Sequence, residues 1–108
     1  MTALPVKNIF AGTAAAGGGE RFLTLFENPA VKIERIVSNS HSSPPDFWYD
    51  QAEDEWVIVL RGGAVLELDG GAPVELKAGD YVTIPGHVKH RVRQTGPETV
   101  WLAVHAKQ

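Results

Sequence analysis

The chain has 108 residues, with 10 Lys and Arg against 13 Asp and Glu, a formal net charge of −3, four His and no Cys. This length predicts one domain, and the absence of Cys excludes disulfide frameworks, thiolate metal sites and cysteine nucleophiles. Scattered charges of both signs disfavour nucleic-acid binding, and no apolar run approaches the length of a membrane span. We therefore expect a soluble, cytoplasmic globular protein with neither nucleic acid nor membrane as a partner.

The N-terminal part of the chain carries weak structural signals. Residues 9–16 are apolar only in part, being interrupted by Gly12 and Thr13, and three glycines follow them. We predict a flexible N-terminal segment over residues 1–20, followed by a single β domain over residues 21–108. Small alanines near a possible cleavage point leave a short export signal as the alternative.

The rest of the chain has the pattern of an all-β protein. Eleven Gly and seven Pro recur between short apolar stretches instead of clustering in one linker. The predicted strands, in chain order, cover residues 22–26, 31–37, 55–60, 64–68, 74–76, 81–84, 90–94 and 99–105. Gly62-Gly63 predicts a tight hairpin with positive φ. Residues 20–27 are ambiguous, because their apolar positions also fit a helical stripe.

Eight short strands in one small domain must close into a barrel or pack as two sheets, since a single open sheet leaves one face wet. The predicted strand over residues 55–60 is apolar on both faces. Val57 and Val59 share one face with Glu55, whereas Trp56 lies on the other. The second face therefore predicts a partner, most simply another copy of the chain in a homodimer, and coverage by loops or by the N-terminal segment is the alternative.

Two short segments could carry chemistry, although each is a weak signal alone. Glu55 is the last charge before five apolar residues, which is also the pattern of a solvated strand entrance. His87 and His90 lie three residues apart across a turn, a spacing compatible with metal ligands and equally with surface histidines.

Together the two segments show a spacing that resembles the cupin superfamily. Glu55 is followed after six residues by Gly62, and Gly79 is followed after five residues by Pro85 and then by His90. The resemblance covers positions 48–94 and implies a jelly-roll β-barrel. The family's second motif corresponds to residues 79–94 of this chain. It departs from the family pattern at two positions, where His87 replaces the inner glycine and Gln94 replaces the terminal asparagine.

In the cupin family the first motif has a His-x-His pair three or four residues before the glutamate, and this chain lacks both histidines. Counting back from Glu55 gives Tyr49 and Gln51 with the shorter gap of the family pattern, or Trp48 and Asp50 with the longer gap. Strand alternation favours the shorter gap, because Tyr49 and Gln51 then share the face of Glu55. A bulge would reverse this choice.

Carried over to this chain, the family's metal set is reduced to Glu55 and His90, with Gln51 as a neutral oxygen ligand. The resemblance implies a divalent transition metal such as Fe, Mn, Ni or Zn, yet one histidine and one carboxylate are fewer ligands than such sites usually have. A substitute ligand would have to be another histidine. The candidates are His41, in the loop before the aromatic triplet at residues 47–49, then His87 and His105.

The resemblance leaves three functions open. One is a metal-dependent enzyme, of oxygenase or isomerase type, that acts on a small polar molecule. Another is an epimerase-like enzyme without a metal, in which His90 is the base and Tyr49 the proton donor. The third is a binding or sensor module for a sugar or an organic acid, without catalysis.

Overall fold

The structure is a computed structural model that describes residues 3–14 and 17–107. Residues 1, 2, 15 and 16 of the predicted N-terminal segment, and residue 108 of the predicted domain, lie outside the described residues. Over the described ranges the chain forms no helix with the length and apolarity that crossing a membrane requires.

All eight predicted strands are present. Their bounds are β1 (Gly19–Glu27), β2 (Val31–Asn39), β3 (Asp54–Arg61), β4 (Gly63–Leu68), β5 (Val74–Lys77), β6 (Tyr81–Ile84), β7 (His90–Thr95) and β8 (Thr99–Ala106). The ambiguous segment at residues 20–27 is a strand, because it pairs with β2 along its whole length. This strand begins at Gly19, slightly before the predicted start of the domain at residue 21.

The strands form two antiparallel sheets. One has five strands in the order β1-β2-β8-β3-β6, and the other has three in the order β5-β4-β7. Buried side chains from both sheets form one core, which includes Val57, Val59, Leu66, Val92 and Trp101. The predicted all-β barrel is therefore confirmed, with its interior between the two sheets.

The N-terminal segment lies over part of the outer face of the five-stranded sheet. Arg35 donates through Nη1 to the carbonyl oxygens of Ile9, at 3.1 Å, and Ala11, at 2.6 Å. The guanidinium of Arg61 lies 4.9 Å from the ring centre of Phe10. Part of this face is thus covered within the chain, which was the alternative to coverage by a partner.

The hairpin between β3 and β4 needs a glycine at its first position, as the sequence predicts. Gly62 has φ of +88°, and a Cβ atom there would lie 2.5 Å from Oγ1 of Thr99. The same hydroxyl donates to the carbonyl oxygen of Gly63 at 3.1 Å. This close approach fixes the hairpin against the start of β8.

Candidate functional site

A cavity opens between the two sheets, in the barrel interior. The volume of this cavity is about 70 Å³, which is room for several water molecules. Its walls are mainly apolar. Its polar side chains come from six different places in the chain and are Glu20, Glu34, Tyr49, Gln51, Glu55, His90 and His105.

The structure brings together four of the predicted site residues, which are Tyr49, Gln51, Glu55 and His90. Tyr49 and His90 form an isolated β-bridge, with N···O distances of 2.7 Å and 3.1 Å between their backbones. Because Tyr49 and Gln51 line the cavity, the shorter gap in the first motif is the correct alignment.

The imidazole of His90 is held in one orientation. Its Nδ1 lies 2.9 Å from the carbonyl oxygen of Val88, and a carbonyl only accepts, so Nδ1 carries the proton. In the neutral ring Nε2 is then the acceptor, and it lies 3.8 Å from Oε1 of Glu55. The ring of Tyr49 stacks on this imidazole, with 5.4 Å between centroids and 23° between planes.

Glu55 is buried between two histidines. Its Oε1 lies 3.8 Å from Nε2 of His90, and its Oε2 lies 3.9 Å from Nε2 of His105. Burial raises the pKa of the Glu55 carboxyl above its ordinary value; the two imidazoles oppose this rise, and the carboxylates of Glu34 and Glu20 add to it. Glu55 thus holds its proton to higher pH than a solvated glutamate.

Two further glutamates of the site are not among the predicted residues. Glu34 on β2 accepts a hydrogen bond from Nε2 of His105 at 2.9 Å, and Glu20 on β1 lies 3.3 Å from Nε2 of His41. Each carboxylate of the cavity therefore faces a histidine. Neither stands out in the sequence, because Glu34 lies between Lys32 and Arg35 in a strand of mixed charge and Glu20 stands in a segment with no clear signal.

A serine connects Glu20 to the core. Ser38 donates to Oε2 of Glu20 at 2.9 Å and accepts from Nε1 of Trp101 at 3.0 Å. Tyr49 lies close to this carboxylate as well. Burial raises the pKa of the Tyr49 phenol, and the negative charges of Glu20 and Glu55 raise it further, so the hydroxyl stays protonated at neutral pH.

The three histidines considered as substitute ligands take different positions. His105 lines the cavity, whereas His41 lies beside Glu20 and receives no contact from Glu55 or His90. His87 is exposed and pairs with Asp50 at 3.0 Å, so it is not a cavity ligand. Its φ of +63° lies in the left-handed region, which explains why the family pattern has a glycine at this position.

The donor set does not fit a metal centre of the kind the family resemblance implies. Within the described part of the chain, no group of three or more His, Cys, Asp or Glu is arranged to hold a metal ion. What remains is one imidazole, of His90, one carboxylate, of Glu55, and the amide oxygen of Gln51, which is buried and has no hydrogen-bond partner. Such a set fits at most a loosely held, largely hydrated divalent ion.

Comparisons with known proteins agree with this architecture. The family model described as "Cupin domain" matches residues 35–105. The crystal structure of a protein described as a "putative mannose-6-phosphate isomerase", from Ralstonia eutropha JMP134, is 44% identical, with a TM-score of 0.91. That match covers 97% of this chain and 100% of the other.

More distant solved structures share the fold alone. A cupin superfamily protein from Desulfitobacterium hafniense DCB-2 is 17% identical over 97% of this chain and 95% of its own, with a TM-score of 0.80. KdgF from Halomonas sp. is 16% identical over 87% of this chain and 85% of its own, with a TM-score of 0.73. No functionally curated protein matches the sequence significantly.

Proposed function

The chain belongs to the cupin superfamily, and we propose that its barrel cavity binds a small polar carbonyl compound and transfers a proton on it, with His90 as the base. The observation that carries this proposal is the fixed tautomer of His90. Because Nδ1 donates to the carbonyl of Val88, the Nε2 lone pair is directed towards the cavity next to Glu55.

The proposed step is an isomerisation by proton transfer. Nε2 of His90 takes the proton from a carbon beside the carbonyl, the electron pair of the broken C–H bond moves into a new C=C bond, and the carbonyl oxygen gains the negative charge. A proton from the phenol of Tyr49 neutralises that oxygen. The substrate carries a hydroxyl on the carbon that loses its proton. His90 then returns the proton to the former carbonyl carbon, and that hydroxyl gives its proton to Tyr49 as its oxygen becomes the new carbonyl, which completes an isomerisation with no oxidant or reductant.

The surroundings of the two groups support these roles. Tyr49 stays protonated because of its raised pKa, as a proton donor must. Glu55 lies against Nε2 of His90, where its negative charge stabilises the imidazolium that forms during the step. The relative from Ralstonia eutropha is described as an isomerase, which is the same class of reaction.

Solvent-deuterium incorporation tests the proposal. Small aldoses and ketoses are incubated with the protein in D₂O, and NMR follows deuterium at the carbon beside the carbonyl. We expect incorporation by the wild type, its loss in His90→Asn, and its retention in His87→Asn, which changes an exposed histidine to a residue that tolerates positive φ. Equal incorporation by all three proteins, or none by the wild type, would contradict His90 as the base.

A divalent metal ion is the second candidate, because one observation favours it. The buried Oε1 of Gln51 has no hydrogen-bond partner, and an ion bound by Glu55, His90 and Gln51 would satisfy it. Because this donor set holds an ion only loosely, protein without a histidine tag should bind added Fe, Mn, Ni or Zn weakly in a calorimetric titration, and His90→Ala should lose this binding. No binding by the wild type, or equal binding by both proteins, would remove this candidate.

We also propose that the protein is a homodimer that uses the edge strand β1. Phe22, Leu23, Leu25 and Phe26 on this strand are each 44–56% exposed, and a second copy would bury them. Trp56, on β3, packs against the exposed Tyr81 of the opposite edge strand, β6, with 5.5 Å between ring centroids, and so lies far from β1 in the strand order.

Light scattering distinguishes the two edges. The wild type should have the mass of a dimer, Phe26→Glu that of a monomer, and Trp56→Glu that of a dimer. A monomeric wild type would refute the proposal, and a monomeric Trp56→Glu would move the interface to the edge formed by β6.

A further inference from the structure

We infer that the cavity selects an uncharged, polyhydroxylated molecule and excludes ligands that carry a phosphate or a carboxylate. This inference rests on the proposed function in one respect, since it concerns the ligand of the same cavity. The cavity wall determines this selectivity through its balance of hydrogen-bond donors, acceptors and charge.

The wall is rich in acceptors. Three carboxylates, from Glu20, Glu34 and Glu55, line the cavity together with Gln51, whose buried Oε1 lacks a donor. A buried acceptor without a partner is costly, so the occupant that fits best is one that supplies O–H or N–H groups. A phosphate or carboxylate group supplies acceptors only and would leave the Gln51 oxygen unsatisfied.

The wall also lacks a permanent cation. Among the described residues that line the cavity none is Lys or Arg, the side chains that usually recognise phosphate and carboxylate groups. Arg35 is engaged by backbone carbonyls on the outer face. Lys32, which shares the inner side of β2 with Glu34, lies 3.8 Å from that carboxylate and is not part of the cavity lining.

Hydroxyl groups match this wall better than an ammonium group does. Glu20, Glu34 and Glu55 already face His41, His105 and His90, so an ammonium group would have to compete with an imidazole at each carboxylate. The unsatisfied group in the wall is the neutral amide oxygen of Gln51, which needs a hydrogen-bond donor and not a positive charge. A hydroxyl also accepts, and so can pair with an imidazole N–H as well as with a carboxylate.

The apolar part of the wall suits the same class of molecule. Phe22 and Trp101 line the cavity, as does Tyr49, whose edge-on partner Phe47 is partly exposed. Aromatic rings pack against the C–H faces of a sugar ring, while the hydroxyls at its rim reach the carboxylates. A neutral sugar can therefore contact both the aromatic part and the carboxylate-bearing part of the cavity wall. Its phosphorylated form would place a dianion among three glutamates.

Thermal unfolding with matched ligand pairs tests the inference without requiring turnover. Glucose, mannose and galactose are each compared with their 6-phosphates, using the wild type, Glu34→Gln, Lys32→Gln and the surface control Glu75→Gln. At least one free hexose at saturating concentration should raise the Tm of the wild type by about 4–8 °C. The rise should be smaller in Glu34→Gln, and unchanged in Lys32→Gln and Glu75→Gln.

Two results would overturn the inference. One is a larger Tm rise with a 6-phosphate than with its parent hexose, above all if Lys32→Gln abolishes it. The other is the absence of a rise with any free hexose. Binding of a free hexose without deuterium incorporation would refute the proposed proton transfer but agree with the inferred ligand class. Deuterium incorporation into a hexose phosphate alone would support the proton transfer and refute the inferred ligand class.

Discussion

Replacing Glu55 by glutamine should make the protein more stable at neutral pH and leave it nearly unchanged at acidic pH. Glu55 is only 7% exposed in the wild type, and its two side-chain oxygens lie 3.8 Å and 3.9 Å from imidazole nitrogens, beyond hydrogen-bonding distance. Glutamine has the shape of the protonated acid, so Glu55→Gln fixes the uncharged form in place.

The direction of this change in stability follows from the pKa of Glu55, which is raised above its ordinary value of 4.5. The folded protein keeps this proton at pH values where the unfolded chain has lost it. Stability from this group is therefore fully present below about pH 4.5 and declines as the pH rises through the folded pKa. One proton changes the free energy of unfolding by at most about 1.4 kcal/mol per pH unit. The stability of Glu55→Gln relative to the wild type should therefore increase with pH, by up to that amount per pH unit.

Urea unfolding at a series of pH values from acidic to neutral measures this difference directly. Glu75→Gln is the matched control, because Glu75 is an exposed carboxylate on β5 whose removal should give a difference that is flat with pH. A flat difference for Glu55→Gln as well, or one that falls as the pH rises, would show that histidines or water fully compensate the buried carboxylate. The electrostatic account of the cavity would then be wrong.

Three further substitutions test other parts of the structure by urea unfolding. Gly62→Ala should lower the free energy of unfolding by about 2 kcal/mol, since it strains a positive φ and drives Cβ against Thr99; an unchanged midpoint would refute that close approach. His87→Gly should be more stable than His87→Ala by about 1 kcal/mol, because φ is +63° there, and equal stabilities would argue against the left-handed conformation. Trp101→Phe should cost about 1–3 kcal/mol by removing the donor to Ser38, and a cost near zero would mean that this hydrogen bond contributes nothing.

The sequence predicted the strands well because their signals are local. Most of the strands are short stretches with Gly or Pro close to at least one end, and such punctuation limits where a strand can begin and end. Glu55 and His90 were predicted for a different reason, namely the spacing that resembles cupins. Strand alternation then placed Tyr49 and Gln51 in the cavity, since residues with the parity of Glu55 face the same way.

The rest of the site depends on pairings between distant strands. Glu20 and Glu34 enter the cavity because β1 pairs with β2 and β2 pairs with β8, and these contacts carry no signature in the local sequence. The positions of His41 and His105 follow from the same pairings, so residue spacing left them as equivalent candidates. Coverage of the outer sheet face by the N-terminal segment was the alternative to a partner. The sequence could not choose between the two, because the contacts use backbone carbonyls that any sequence would offer to Arg35.

The register of β1 and β2 decides the chemistry of the cavity as much as the motif residues do. A slip by one residue would turn Glu20 away from the interior, and with it the carboxylate that Ser38 and Tyr49 contact. The serine hydroxyl connects Glu20 to Nε1 of Trp101, which is 3% exposed in the core. One buried hydroxyl thus holds the carboxylate of Glu20 against the core. If that link breaks in Trp101→Phe, free-hexose binding should weaken even where the barrel remains folded, because the acceptor from the edge strand is no longer held in place.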